Sequence, residues 1–393
     1  MIKKHIVSDS SQIYFDFGKA EGSFIWDRNG KKFIDFTSGW NVTNLGWENP
    51  EIKEAIAKQL NENVYSPFWA PDEIKEKYAQ ELVAALPEEL NTIVRATGGS
   101  EANEEAIKIA RAFTDRTKII GFKNSYHGQT AEELALVYEP RKIMGSAPKE
   151  YIQMDFPEKD LSEFAKNLEE ILKGNDIAAI IAEAGIVTGG GQTSIAPEGF
   201  LKTIRELTEK YGTLLILDEV GTGFSRCGQL FGMEIEGVVP DMATFAKGIS
   251  NGAAAIGAVA IKEEITKKAA KQSVLISTFG WTALACAAAL KTLEIHRRDR
   301  IWEKAQADGE YILEVLNKEL DGNSKVKTIR GVGMEIGVLF NDDVDVKALN
   351  QKLFDAGLLV AIDANNFQLM PPLTIEREVL NEGLDIFVST IKE

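Results

Sequence analysis

The sequence predicts an α/β protein with a mostly parallel sheet covered by helices on both faces and a smaller α+β unit built from the two chain ends. Three observations carry this. Short apolar runs at 92–96, 118–122, 178–182, 213–217, 242–245 and 256–261 read as strands with no polar face, as in parallel sheets buried on both sides. Between them lie amphipathic stretches of helical period, giving the strand–helix alternation of this class. The two ends break that alternation.

Taken in chain order, residues 1–47 hold turn-punctuated aromatic strands, and Asn29-Gly30 sits where a hairpin would turn. In 101–113, Ala106, Ile109, Ala110 and Phe113 follow the i, i+3, i+4, i+7 rule of a helix lying on a sheet. Residues 199–211 form a second amphipathic helix feeding the next strand. Beyond about residue 285 come an alanine-rich helix, a mixture of strands and helices, and an amphipathic tail. The expected division is a large domain at 48–285 and a small one from 1–47 and 286–393. No repeat or Pro/Gly/Ser linker interrupts it.

Composition narrows the function. The chain has 393 residues, 44% of them hydrophobic, which is ample for a core. Lys+Arg 44 against Asp+Glu 60 leaves a charge of −16, which predicts repulsion from nucleic acid and from anionic membranes. Cys227 and Cys286 lack CxxC spacing and are too few for a disulfide framework. His5, His127 and His296 lie far apart, so no metal site is expected. Residues 1–6 carry no apolar signal region, and no stretch approaches the ~20 apolar residues that span a bilayer. The expectation is a cytoplasmic protein.

In open α/β sheets ligands bind outside the carboxyl ends of the strands. Four features fall there. Thr97-Gly98-Gly99-Ser100 opens a helix whose N–H groups suit a phosphate. Tyr126-His127-Gly128 follows the second strand. Asp218-Glu219 ends a third, and two buried carboxylates demand partners. Lys247 ends a fourth apolar run. Singly, these read as a helix cap, a packed aromatic, a structural ion pair and a surface lysine. Together and in this order they match the needs of pyridoxal phosphate (PLP): an anion cradle, a ring cover, an acid for the pyridine nitrogen and an amine for the aldehyde.

The resemblance that follows runs along nearly the whole chain. Segment 217–228 (Leu-Asp-Glu-Val-Gly-Thr-Gly-Phe-Ser-Arg-Cys-Gly) and segment 240–252 (Pro-Asp-Met-Ala-Thr-Phe-Ala-Lys-Gly-Ile-Ser-Asn-Gly) are its most specific parts. Segment 99–111, Tyr126-His127-Gly128, Thr278-Phe279-Gly280 and 370–375 support it. The chain resembles the class III (ω- or ornithine-type) aminotransferases of PLP fold type I. That resemblance implies a seven-stranded, mostly parallel sheet in the large domain. It implies Lys247 as the Schiff-base lysine and proton carrier, and Asp218 as partner of the pyridine nitrogen. Val220 and Tyr126 would cover the two ring faces, while Gly99 and Ser100, with Thr278 of a neighbouring subunit, would hold the phosphate. His127 and Glu183 would stand near the cofactor. A homodimer with composite active sites is implied, with pairing of dimers into tetramers left open.

Departures from the family pattern bear on substrate. Ornithine- and GABA-type relatives carry one arginine where this chain has Gln129 and another where it has Gln368, with a gating glutamate where it has Thr188. Loss of both partners of a buried pair avoids an unpaired charge. Gly221 stands where relatives keep a glutamine. Trp40 and Trp281 fall at positions expected to line the pocket, with Phe68 and Trp69 from across a dimer. These features predict an amino donor without a distal carboxylate, namely a primary amine, an ω-amino compound or a neutral or apolar amino acid, and pyruvate or 2-oxoglutarate as acceptor. Arg141, Arg226 or an arginine on a mobile loop are the candidates to anchor the acceptor. Racemases and epimerases of the family share nearly the same motifs, so the sequence leaves that alternative open. A non-catalytic PLP-binding regulator is disfavoured by the presence of both Lys247 and Asp218.

Overall fold

A computed structural model of the chain describes residues 5, 13, 15–136, 150–187 and 193–393. The apolar runs of the middle of the chain become strands without an exposed face. Ile177–Glu183, Leu214–Asp218, Met242–Phe245 and Gly257–Ile261 are buried at every position. They belong to a seven-stranded sheet ordered Thr92–Ala96, Gly257–Ile261, Met242–Phe245, Leu214–Asp218, Ile177–Glu183, Lys118–Phe122, Tyr151–Met154. Gly257–Ile261 runs antiparallel to both its neighbours, and the other pairs are parallel. The edge strand Tyr151–Met154 is absent from the sequence reading. It has four residues, three of them only half-buried, and so lacks the continuous apolar run that marks the others.

The helix Gly99–Thr114 crosses this sheet, pressing Ala102, Ala106, Ile107, Ile109 and Ala110 against it. Alanines on that face let the helix come close, which brings its N-terminus to the strand ends. A second seven-stranded sheet unites the chain ends: Phe17–Glu21, Phe24–Asp27, Lys32–Phe36, Leu358–Asp363, Asn366–Leu369, Glu335–Phe340, Val326–Val332. The expected hairpin is present, with Gly30 at φ 89° and its N–H donated to the Asp27 carbonyl. The N-terminal strand Lys32–Phe36 pairs in parallel with Leu358–Asp363, so neither end can complete this sheet without the other.

The helix Ala283–Arg298 ties the two sheets together. Its Cys286, Ala289 and Leu293 join the core of the first, and its Ala288 and Ile295 join that of the second. Arg226 adds a polar clamp. Fully buried, it donates to the carbonyls of Met334 (3.1 Å) and Pro371 (2.8 Å) and to Asn44 Oδ1 (2.8 Å). Burial draws its pKa down to about 10 despite the opposing charge of Glu335. This corrects the sequence reading of Arg226 as a carboxylate anchor, because both its terminal nitrogens are taken by Met334, Pro371, Asn44 and Ser38 and it does not line the cavity. Among the described residues no helix is long and apolar enough to cross a membrane.

Candidate active site

The register of the parallel strands sets three polar residues abreast at their carboxyl ends. Asp218 pairs with Glu183 on one side and with Thr244 on the other. Side chains alternate along a strand, so the adjacent acids part ways. Glu219 turns into the protein, accepting from Thr222 Oγ1 (2.6 Å), Gly232 N (2.8 Å) and Met233 N (2.6 Å). Burial nonetheless pushes its carboxyl up to about 7. Asp218 faces the opposite way and is held by three donors. Its Oδ2 meets His127 Nδ1 at 2.7 Å and Asn103 Nδ2 at 2.9 Å, and its Oδ1 accepts from Val220 N at 2.9 Å. Burial opposes protonation of His127, but the hydrogen bond and charge of Asp218 outweigh it and hold the imidazole above its ordinary pKa.

Asn103 is oriented in turn. Its Nδ2 also donates to the His127 carbonyl (2.7 Å), and its Oδ1 accepts from Thr244 Oγ1 (2.6 Å). Lys247 follows the strand Met242–Phe245 with φ 48°, the left-handed region that a side chain disfavours. Such strain costs about 1–3 kcal/mol and persists where the surroundings impose it. The helix Gly99–Thr114 has Gly98 at its N-cap, a residue with no side chain to cap it, so the N–H groups of its first turn remain available to a ligand. A Cβ on Gly99 would sit 3.2 Å from a Val220 methyl, so this first turn and Val220 are in close packing.

These parts surround one cavity of about 400 Å³. Gly99, Ser100, Tyr126, His127, Glu183, Asp218, Val220 and Lys247, all singled out from sequence, line it together with Gly221. Thr278 does not. It is exposed in this chain and its carbonyl accepts from Tyr65 Oη (3.4 Å). Of the expected pocket residues, Trp281 requires correction. It is 2% exposed, packs against Tyr78 with ring centroids 4.7 Å apart and the ring planes tilted by 45°, and donates its indole N–H to the Gly257 carbonyl (2.8 Å). It is a core residue. Trp40 is half-buried at φ 71°, Gln129 is exposed, and Gln368 is buried between Gly337 and Ala361 in the second sheet. None of the three lines the cavity of this chain. Thr188 and Arg141 lie outside the described residues.

Sequence reasoning missed Asn103 and Thr244, which fix the orientation of Asp218. The signal was available: each is a lone polar residue in an otherwise apolar buried face. It also missed Glu133, a fully buried carboxyl against Ser100 and Gly128.

A family model for class III aminotransferases matches residues 6–391. The acetylornithine aminotransferase of Methanothermobacter thermautotrophicus is 33% identical over 376 residues, covering 95% of this chain and 93% of that one. An (S)-enantioselective ω-transaminase from Thermomicrobium roseum superposes with a TM-score of 0.90 at 31% identity, covering 100% and 97% of the two chains. A PLP-bound amine transaminase from an uncultivated Pseudomonas species gives 0.91 at 26% identity, covering 99% and 97%.

Proposed function

From the premise that this chain belongs to the class III aminotransferases, which are PLP-dependent enzymes, we propose that it transfers an amino group from a donor lacking a distal carboxylate to a keto acid. The donor is a primary amine, an ω-amino compound or a neutral or apolar amino acid. The acceptor is pyruvate or 2-oxoglutarate, taken in a second half-reaction. One observation carries the reading: among the described residues, Lys247 is the only lysine or arginine lining the cavity, which Glu183 and Asp218 also line. With no arginine among the described lining residues, a donor's distal carboxylate has no fixed partner there, and a buried carboxylate without a partner is costly.

The residues present fit PLP at each of its ends. The uncapped helix start at Gly99–Ser100 suits the phosphate, Asp218 suits the pyridine nitrogen, and Lys247 suits the aldehyde. When bound, PLP supplies the electron sink that acidifies the donor Cα–H. The remaining work falls to the chain. His127 and Asn103 hold Asp218 as an oriented anion, so that a proton stays on the pyridine nitrogen. Val220 and Tyr126 confine the ring, and Glu183, bonded to Tyr126 N (3.3 Å), fixes the Tyr126 loop. Lys247 Nζ is the group that removes and returns the proton at the donor Cα.

We extend the proposal to a homodimer. Tyr65 and Phe279, both exposed with ring centroids 6.0 Å apart, flank Thr278, and a second copy docked there would bring Thr278 to its partner's cavity. Two free, buried cysteines agree with a cytoplasmic location. The deciding experiment supplies donors one at a time, without acceptor, and follows the visible absorbance of the bound cofactor. Bleaching with simple primary amines supports the reading. Rapid bleaching with GABA and ornithine but not with amines overturns the donor class. Exchange of the Cα proton without bleaching makes the enzyme a racemase.

A further inference from the structure

Behind the phosphate cradle lies an acid that the reaction does not use. Glu133 is fully buried in the helix Ala131–Leu136. A Cβ on Gly128 would overlap both Glu133 Oε2 and Ser100 Oγ, so these two oxygens meet over the glycine, and the Ser100 hydroxyl is hydrogen-bonded to the carboxyl. Glu133 Oε2 also accepts from Thr130 N (3.0 Å) and lies 2.9 Å from Thr130 Oγ1. That same hydroxyl contacts Glu104 Oε1. Glu133 Oε1 has no hydrogen-bond partner among the described residues.

Counting protons decides how the cluster is wired. A hydroxyl has one proton to give, so Thr130 Oγ1 cannot donate to Glu104 and to Glu133 at once. If Glu133 is ionised, the Ser100 proton must turn to it, and a phosphate then faces only the lone pairs of Ser100 with a second anion behind them. If Glu133 carries a proton on Oε2, Thr130 Oγ1 gives to Glu104, Thr130 N gives to Glu133, Glu133 gives to Ser100 Oγ, and the Ser100 proton is free for the phosphate, with only the approach of Thr130 Oγ1 to Glu133 Oε2 left without a proton.

We propose that Glu133 is a positioning residue that acts as a neutral carboxylic acid, aiming the Ser100 hydroxyl at the cofactor phosphate, so that PLP binding requires a proton held at Glu133. This rests on the reading that Gly99 and Ser100 cradle the phosphate. Independent electrostatics agree. Burial pushes the Glu133 carboxyl up to about 7, with the charge of Glu104 adding to it against the hydrogen bonds of Thr130 and Ser100. The other charged groups around it have partners of their own. Burial raises Glu104 as well, and Glu132 on the same helix is paired with Arg111 (2.5 Å). Tyr151 on the neighbouring strand bonds that pair and has its hydroxyl pushed up to about 12. His127, on the far side of Gly128, is committed to Asp218.

The test measures dissociation constants of the apoprotein for PLP and for pyridoxal, which lacks the phosphate, between pH 6.5 and 9. Glu133→Gln keeps a donor toward Ser100 without a titrating proton. Wild-type affinity for PLP should fall by about tenfold or more across this range, the variant should hold the affinity seen at low pH, and neither should show the difference with pyridoxal. Calorimetry of wild type in buffers of different ionisation enthalpy should show proton uptake on binding PLP near pH 8, a readout that needs no variant. Parallel pH profiles of wild type and Glu133→Gln, or binding without proton uptake, would overturn the inference. Equal affinity for PLP and pyridoxal at every pH would instead remove the cradle on which it rests.

Discussion

Replacing Asn103 by alanine tests how the structure orients Asp218. The side chain makes three buried hydrogen bonds: to Asp218 Oδ2 at 2.9 Å, to the His127 carbonyl at 2.7 Å and from Thr244 Oγ1 at 2.6 Å. All three partners are buried, so water cannot replace the lost bonds. The His127 carbonyl and the Thr244 hydroxyl are orphaned at about 1–3 kcal/mol each, and Asp218 is left with two of its three donors. Because the bonds share one side chain the costs overlap, and Asn103→Ala should destabilise the apoprotein by about 4 kcal/mol. Thr244→Val keeps shape and removes one neutral bond, for a loss of about 1 kcal/mol. In the double variant that bond is already gone, so it should lie within about 0.5 kcal/mol of Asn103→Ala. Urea denaturation of the four apoproteins measures the cycle. A loss below 1 kcal/mol for Asn103→Ala, or strictly additive costs, would refute this account of the Asp218 network.

Lys247→Ala should abolish the visible absorbance of the bound cofactor and turnover together, read by spectrum and by rate on the same sample. Glu219 is raised to about 7 in the folded chain, so its folded form holds a proton that the unfolded form gives up above pH 4.5. Its contribution is full below that pH and is lost as pH rises through 7, amounting to about 3 kcal/mol. Urea midpoints between pH 5 and 8 should therefore fall more steeply for wild type than for Glu219→Gln, whatever the variant's absolute stability. Trp281→Phe leaves the Gly257 carbonyl without its indole donor. It should cost about 1–2 kcal/mol while changing the donor KM less than twofold.

The first sheet was legible in the sequence because its strands are buried on both faces, which forces unbroken apolar runs such as 178–182. The edge strand Tyr151–Met154 carries no such demand and leaves no such mark. The same logic divides the site. Asp218, Lys247 and Gly99-Ser100 stand out because charge and glycine at the ends of apolar strands are unusual. Asn103 is marked only as the lone polar residue on an apolar helix face, and its role shows once the strand carrying Asp218 is laid beside it. Trp281 sits beside the conspicuous Thr278-Phe279-Gly280 turn, yet its place is decided by Tyr78 and Gly257, which are far away in sequence. Arg226 reads as an anchor for an anion, but carbonyls from the second sheet take its donors. Tertiary partners of this kind leave no periodic trace in the chain.

The most direct test of the central claim is the acceptor-free donor panel on the PLP-loaded protein, followed by stopped-flow absorbance. The account predicts fast bleaching of the cofactor band by primary amines or neutral amino donors, and slow bleaching by GABA, ornithine and N-acetylornithine, whose carboxylates find no arginine among the described residues that line the cavity. Fast bleaching confined to GABA, ornithine and N-acetylornithine would contradict it.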